Sequence, residues 1–250
     1  MRRKLKCCTL GFACFKALLP YGNSMVTERL TFPVSGASLE GALHLPEGVG
    51  PFPGVVICHP HPHFGGSMDN NVVIGLCDGL VRSGIAALRF NYRGIGLSEG
   101  STNADGQDIQ DAVSALRYLG ERSEVDVNRL GIAGYSFGGR VALRLAASQP
   151  SAICAVASVA CPTKDLEDLA VQGITLPKLL INGSRDRIVS VEEFQRLVPQ
   201  FQEPKEITVI EGADHFFLAR EEALGDLAGQ FFTQWLALRV ESEEGVVVRK

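Results

Sequence analysis

Long apolar runs are missing from this chain. No stretch reaches the roughly 18 consecutive apolar residues that a membrane-spanning helix needs, so no transmembrane span is expected. A surplus of basic charge is missing too. The formal net charge is −4 and the pI about 5.8, and no basic stripe follows the first six residues, which argues against a nucleic-acid partner. Cysteine pairs at C-x-x-C spacing are absent, which removes zinc knuckles and dithiol redox motifs. The seven cysteines, Cys7, Cys8, Cys14, Cys58, Cys77, Cys154 and Cys161, make an odd number. Four of them sit in apolar runs, where a free thiol packs as a small hydrophobe. That usage fits a reducing compartment. A cytoplasmic location is expected, with export as the alternative if the N-terminus acts as a signal.

What is present begins with enough chain, 250 residues, for one domain around a single core. Residues 1–24 stand apart. Met1-Arg-Arg-Lys-Leu-Lys6 precedes a short apolar stretch that Lys16 interrupts, and no A-x-A-like cleavage site follows cleanly. Met25 then opens the first strand pattern. The segment reads as a mis-started or dispensable extension, with a signal and an interaction arm as alternatives. Residues 25–240 form the expected domain, and 241–250 are an acidic, then Val-rich tail. No internal repeat, linker or second domain is visible.

Along the domain, residues 28–34 and 38–45 read as a hairpin turning at Gly36. Apolar runs at 54–58, 85–90, 130–133, 153–160, 176–181 and 206–210 read as buried strands, the last of these closing the set. Helical spacing falls between them. One helix, capped by Asn70 or Asn71 and ended by Gly84, carries Val73, Leu76, Cys77, Leu80 and Val81. A second starts at Asp105, a third carries Val141, Leu143 and Leu145, and Ser190 caps a fourth with Phe194 and Leu197 inward. The final helix places Leu224, Leu227, Phe231 and Trp235 on one face. Asp165 and Asp168 read as solvated or helix-start charges, and His44 as a surface or packing residue. Alternation of strand and helix implies right-handed crossovers, hence an α/β fold with a mostly parallel central sheet flanked by helices.

Residues 131–139, Gly-Ile-Ala-Gly-Tyr-Ser-Phe-Gly-Gly, join a strand to a helix through G-x-S-x-G, the pattern of a nucleophile elbow. A serine on so sharp a turn needs neighbours without side chains, because a Cβ would strike the adjacent strand or helix. The serine then needs a base and an orienting acid. In a parallel sheet the partners should lie in loops at the carboxyl ends of later strands. Asp186 follows the 176–181 strand in Asn-Gly-Ser-Arg-Asp-Arg, and His215 follows the 206–210 strand in Glu-Gly-Ala-Asp-His-Phe. Of the five histidines, His44, His59, His61, His63 and His215, only the last is late enough to serve Ser136 as base. Asp214 competes for the acid role, but a carboxylate next in sequence rarely reaches an imidazole that faces the serine.

The order Ser136, Asp186, His215 resembles the α/β-hydrolase superfamily over roughly residues 25–238. Within it, H-P-H-P-x-x-G-G-S-M-x-N and R-F-N-Y-R-G-x-G-x-S-E-G look like a group of small hydrolases without a lid domain. The resemblance implies a single-domain α/β-hydrolase fold with no sizeable lid, and the short gap before the 176–181 strand agrees. It also implies an oxyanion hole. Phe137 supplies one backbone N–H. Pro60 and Pro62 have none, so the second donor comes from His59, His61 or His63, and the resemblance points to His61.

These features lead to a serine hydrolase of small-molecule esters, carboxylesterase-like (EC 3.1.1), with thioesters or amides open. The expected route is an acyl-serine, with no cofactor and no metal. A serine peptidase of the same fold and a non-catalytic binding protein are the alternatives. The His59–His61–His63 spacing resembles the metal run of metallo-β-lactamase-like hydrolases, but the Asp and further downstream histidines of that run are absent. Phe64, Met68, Tyr135 and Phe216 flank catalytic positions and read equally as pocket candidates or as core. Arg93 could clamp an anionic substrate group or tie loops through an ion pair. The site is expected to be open and shallow. The oligomeric state is unspecified by the sequence.

Overall fold

The computed structural model describes residues 26–101, 107–237, 239–241 and 247–249. The N-terminal extension, the expected helix start at Asp105 and much of the tail lie outside the described residues. The chain opens with an antiparallel pair, β1 (Val26–Val34) and β2 (Ala37–Leu45), turning at Gly36. Then come β3 (Phe52–Cys58), α1 (Asn71–Arg82), β4 (Ala86–Phe90), α2 (Gln107–Gly120), β5 (Val125–Tyr135) and α3 (Phe137–Ser148). After β6 (Ala155–Val159) follow α4 (Thr163–Leu166), α5 (Leu169–Gln172), β7 (Lys178–Gly183), α6 (Val191–Leu197), β8 (Lys205–Ile210) and α7 (Glu221–Trp235).

The main sheet has eight strands in the order β1-β2-β4-β3-β5-β6-β7-β8. β2 runs antiparallel to β4, and β3 to β8 run parallel. The chain steps outward from β3 to β4, then doubles back across β3 to β5. This reversal puts successive crossover helices on opposite faces. α1 and α7 cover one face, meeting Val55, Ile57, Ala133 and Ile181 with Leu76, Leu80, Leu224 and Phe232. α2, α3 and α6 cover the other, where Leu116, Val141, Leu145 and Phe194 meet Val56, Leu88, Ile132 and Leu180. Each such buried side chain contributes about 1.5–3 kcal/mol. β4, β6 and β7 are buried along their whole length, which is why they read as mostly apolar runs, broken only by the buried polar residues Arg89, Ser158, Lys178 and Asn182. The reversal also creates a switch point at the carboxyl ends of β3 and β5, where sites in such sheets form.

α1 and α7 touch backbone to backbone. A Cβ on Gly79 would lie 2.1 Å from the Gly225 backbone, and one on Gly75 would lie 2.8 Å from the Glu221 carbonyl oxygen. Among the described residues no helix is long and apolar enough to cross a membrane.

One expectation needs correction and another divides. The short segment between β6 and β7 holds α4 and α5, each a single turn and too short to show a period. β8 is not the final strand, because β9 (Arg239–Glu241) and β10 (Val247–Arg249) pair as a small separate ribbon. Asp165 is a helix-start charge, in the first turn of α4, but is not solvated: it is buried and ion-paired to Arg144 at 2.9 Å, the pKa of its carboxyl raised by burial against the pull of that arginine. Asp168 does cap a helix, accepting from Ala170 N–H at the start of α5.

His44 is a packing residue at 5% exposure. Arg89 Nε donates to its Nε2 at 3.0 Å, so the neutral ring carries its proton on Nδ1, beside Thr27 Oγ1 at 3.1 Å. Burial, then the Arg89 charge, pushes its pKa down to about 3. An unfolded imidazole titrates near ~6.5, so the unfolded chain takes up the proton first as pH falls. The stabilisation is therefore complete above about pH 6.5 and drains as pH falls toward the folded value. Urea unfolding at about pH 7 and about pH 5 should show wild type losing more stability than His44→Gln, by about 1.4 kcal/mol per pH unit below ~6.5. Equal slopes would mean that His44 protonates freely in the folded state.

Candidate active site

Four loops meet where β3, β5, β7 and β8 end, because parallel strands direct their carboxyl ends to one edge of the sheet. The turn after β5 is the tightest. Ser136 sits at φ 54°, ψ −116°, a conformation costing a non-glycine residue about 1–3 kcal/mol. Its N–H donates to Val159 O at 2.8 Å, anchoring the turn to β6. The flanking glycines are sterically required. A Cβ on Gly134 would stand 2.0 Å from Gly138 O, and one on Gly138 would stand 2.1 Å from Cys58 O. α3 starts at Phe137, whose N–H belongs to the first helical turn and has no acceptor within the helix.

The loop after β7 presents Asp186. Its Oδ1 accepts from the N–H groups of Ile188 and Val189, both at 2.8 Å, and Asn182 Nδ2 donates to Val189 O at 3.0 Å. The carboxylate is thereby aimed before any imidazole arrives. The loop after β8 is sewn to it: Arg185 N–H donates to Ala213 O at 2.8 Å and Gly212 N–H to Ser184 Oγ at 2.8 Å. Asp214 Oδ1 accepts from Phe216 and Phe217 N–H at 2.9 and 3.1 Å, a turn-forming role that holds it away from the acid position.

His215 bridges the two. Its Nδ1 lies 2.8 Å from Asp186 Oδ2 and its Nε2 lies 3.2 Å from Ser136 Oγ. With Nδ1–H donating to the carboxylate, Nε2 keeps its lone pair toward the serine hydroxyl. Tyr135 Oη donates to His215 O at 2.7 Å, so the residue before the nucleophile also holds the backbone of the imidazole. Ser136 is half-buried, while His215 and Asp186 are 7% and 5% exposed.

The loop after β3 lies across the elbow. His61 has φ −58° and ψ 123°, its carbonyl accepts from Phe64 and Gly66 N–H, and its ring centroid lies 4.7 Å from that of Phe137. The metal-like spacing is not matched by convergence. Both His59 ring nitrogens and the His61 Nδ1 are occupied by protein hydrogen bonds. Among the described residues no group of three or more His, Cys, Asp or Glu is placed to hold an ion.

The pocket candidates divide. Phe64, 88% exposed, and Phe216, 54% exposed, stand on the loops beside His61 and His215. Met68 and Tyr135 take the core reading: Met68 is wholly buried, its N–H bound to Asn91 Oδ1 and its carbonyl accepting from Arg89 Nη1, and Tyr135 is held by its hydroxyl. Arg93 is not a substrate clamp. Its Nε pairs with Asp111 at 2.7 Å and its Nη1 donates to Ser35 O at 3.2 Å, tying the loop after β4 to α2 and to the β1–β2 turn. The sequence reading missed Arg140, one turn into α3, whose guanidinium lies 4.4 Å over the Phe137 ring while pairing with Asp108 at 2.5 Å. Its place four residues after the serine was the available signal.

Known proteins resemble this chain in sequence and fold. An uncharacterized protein of Rickettsia prowazekii is 30% identical over 178 residues, covering 68% of this chain and 74% of its own. Esterase FrsA of Yersinia pestis is 34% identical over 144 residues, which is 56% of this chain but 32% of the esterase. An α/β serine hydrolase homologue from Coxiella burnetii superposes with a TM-score of 0.72 at 30% identity, over 81% of this chain and 96% of that one. A lidless α/β serine hydrolase from Xanthomonas campestris gives 0.74 at 27%, over 86% and 97%. The family model for FrsA-like esterases matches residues 18–190, from before β1 through the elbow to the loop carrying Asp186. On that match, and on an eight-stranded sheet with a serine elbow at its switch point, the chain belongs to the FrsA-like esterase family.

Proposed function

We propose that this protein is a carboxylic-ester hydrolase of the EC 3.1.1 type acting on small molecules through an acyl-serine. The continuous path Ser136–His215–Asp186, at 3.2 and 2.8 Å, carries this reading. Ser136 Oγ attacks the acyl carbonyl while its proton passes to His215 Nε2. Asp186 keeps the imidazole in the Nδ1–H tautomer and stabilises the imidazolium. The N–H groups of Phe137 and His61 receive the oxyanion. Collapse of the tetrahedral intermediate expels the alcohol, which takes the proton from Nε2. Water then attacks the acyl-serine by the same proton path, releasing the acid and restoring the hydroxyl.

The motif H-P-H-P-x-x-G-G-S-M-x-N serves this reading as the oxyanion loop, stiffened by Pro60 and Pro62. Exposed Phe64 and Phe216 favour an apolar acyl or alcohol group at an open mouth. Thioesters and amides fit the same chemistry with a different leaving atom. The hydrolase unit is assigned to residues 25–240, without cofactor, and the free thiols Cys58, Cys77, Cys154 and Cys161 favour a cytoplasmic setting.

Ser136→Ala should abolish hydrolysis of short-chain p-nitrophenyl esters, and a fluorophosphonate should label Ser136 alone in peptide mass mapping. Activity in EDTA should equal that without it. Turnover by the alanine variant, or loss in EDTA, would end the serine mechanism. Asp186→Asn should lower kcat about 10⁴-fold, whereas Asp214→Asn, which keeps a turn acceptor, should stay within about tenfold of wild type. The reverse ranking would reassign the acid.

A further inference from the structure

A second oxyanion donor is useful only if its peptide plane is fixed before substrate arrives. In the reading above that plane is the Pro60–His61 peptide, whose nitrogen is His61 N. Proline at 60 stiffens one side of it, but the orientation of the plane needs its own restraint. Two neighbours supply one.

The first is His59, wholly buried at the end of β3. Its Nδ1 lies 2.7 Å from Pro60 O and its Nε2 lies 3.2 Å from Tyr92 N. A backbone N–H can only donate, so Nε2 must offer its lone pair. The neutral ring therefore carries its proton on Nδ1 and donates it to Pro60 O. Tyr92 also packs its ring against the imidazole, with centroids 4.4 Å apart. Burial lowers the pKa of this histidine to about 4, so the neutral ring persists at ordinary working pH. The second neighbour is Gly66. A Cβ there would stand 2.1 Å from Pro60 O, so its bare Cα closes on the same carbonyl. The carbonyl is thus bonded on one side and walled on another. In a trans peptide the N–H points opposite to the C=O. Holding Pro60 O toward the buried imidazole turns His61 N–H away from it, out of the core.

We propose that His59 is a positioning residue of the oxyanion hole: its Nδ1–H, locked in that tautomer by Tyr92 N–H, sets the Pro60–His61 peptide and so presets the second donor. This rests on the serine-hydrolase reading. His59 touches no reacting atom and moves no proton. Its place in the motif differs from that of His61, which contributes backbone, and of His63, whose N–H braces the His61 ring at 3.2 Å.

The test uses the full chain with His59→Leu, His59→Asn and Ser136→Ala. His59→Leu should lower kcat by about 10- to 100-fold, below or at the loss of a whole oxyanion donor, with KM within about twofold. Binding of a trifluoromethyl ketone, whose alkoxide adduct uses the oxyanion hole, should weaken by the same factor as kcat/KM. His59→Asn, which restores an amide N–H near the Nδ1 position, should recover at least half of that loss on a logarithmic scale. Long-range ¹H–¹⁵N spectra of wild type should show the His59 proton on Nδ1. A folded His59→Leu enzyme with normal kcat, a loss confined to KM, or a proton on Nε2 would overturn the proposal. If His59→Leu does not fold, the wild-type spectrum and His59→Asn decide it. Should Ser136→Ala keep its activity, the hydrolase reading itself fails. An inactive Ser136→Ala beside unaffected His59 variants removes only this inference.

Discussion

Backbone pressed against backbone is the constraint on which this molecule depends. At the switch point the ends of β3 and β5 pair in register, Cys58 opposite Gly134, and α3 starts directly above them. There is room for the turn only because Gly134 and Gly138 carry no side chain. The strain of Ser136 is held by the Ser136–Val159 hydrogen bond and by α3, which packs its apolar face on the sheet. Neither element could relax without opening the core. The reactive hydroxyl is therefore positioned by close packing, and the hydrogen bonds of the site refine what packing has already decided.

Buried charge follows the same pattern of restraint. Arg93 and Asp111 meet below the loop after β4, and Arg89 joins Asp69 and His44 beside the start of α1. Such groups cost free energy to desolvate and are retained where they make directional contacts that apolar side chains cannot. Here each brings together segments distant in sequence: α2 with the β1–β2 hairpin in one case, β2 and β4 with the end of the loop after β3 in the other. Lys178, buried in β7, donates to the carbonyls of Gln202 and Pro204 and fixes the approach to β8, its pKa lowered by burial to about 8.

Much of this was legible in the chain, for physical reasons that differ by element. β4, β6 and β7 could be read because strands buried on both faces are mostly apolar, even where a single buried polar residue such as Arg89 or Lys178 interrupts them. Asp186 and His215 could be placed because parallel topology forces later loops to the same edge. α4 and α5 could not, since one turn carries no period, and the two readings of Asp165 could not be separated because a carboxylate near a helix start looks alike whether it meets water or Arg144. For Met68 and Tyr135 the choice between pocket and core stayed open, because adjacency to a site residue says nothing about which way a side chain turns; both are core. The tautomer of His59 was beyond reach of the sequence. It depends on Tyr92 N–H, brought alongside by the pairing of β3 with β4.

The bare-backbone contact between α1 and α7 has a mechanical corollary. α1 issues from the loop after β3 and α7 from the loop bearing His215, and the glycines at their crossing bring the two backbones into direct contact. Asn71, at the head of α1, reinforces the junction by reaching both Phe216 O at 3.0 Å and Glu221 Oε1 at 2.9 Å. The two helices thus act as a rigid yoke across the back of the sheet. This junction ties the loop after β3 to the loop bearing His215 without passing through the Ser136 turn.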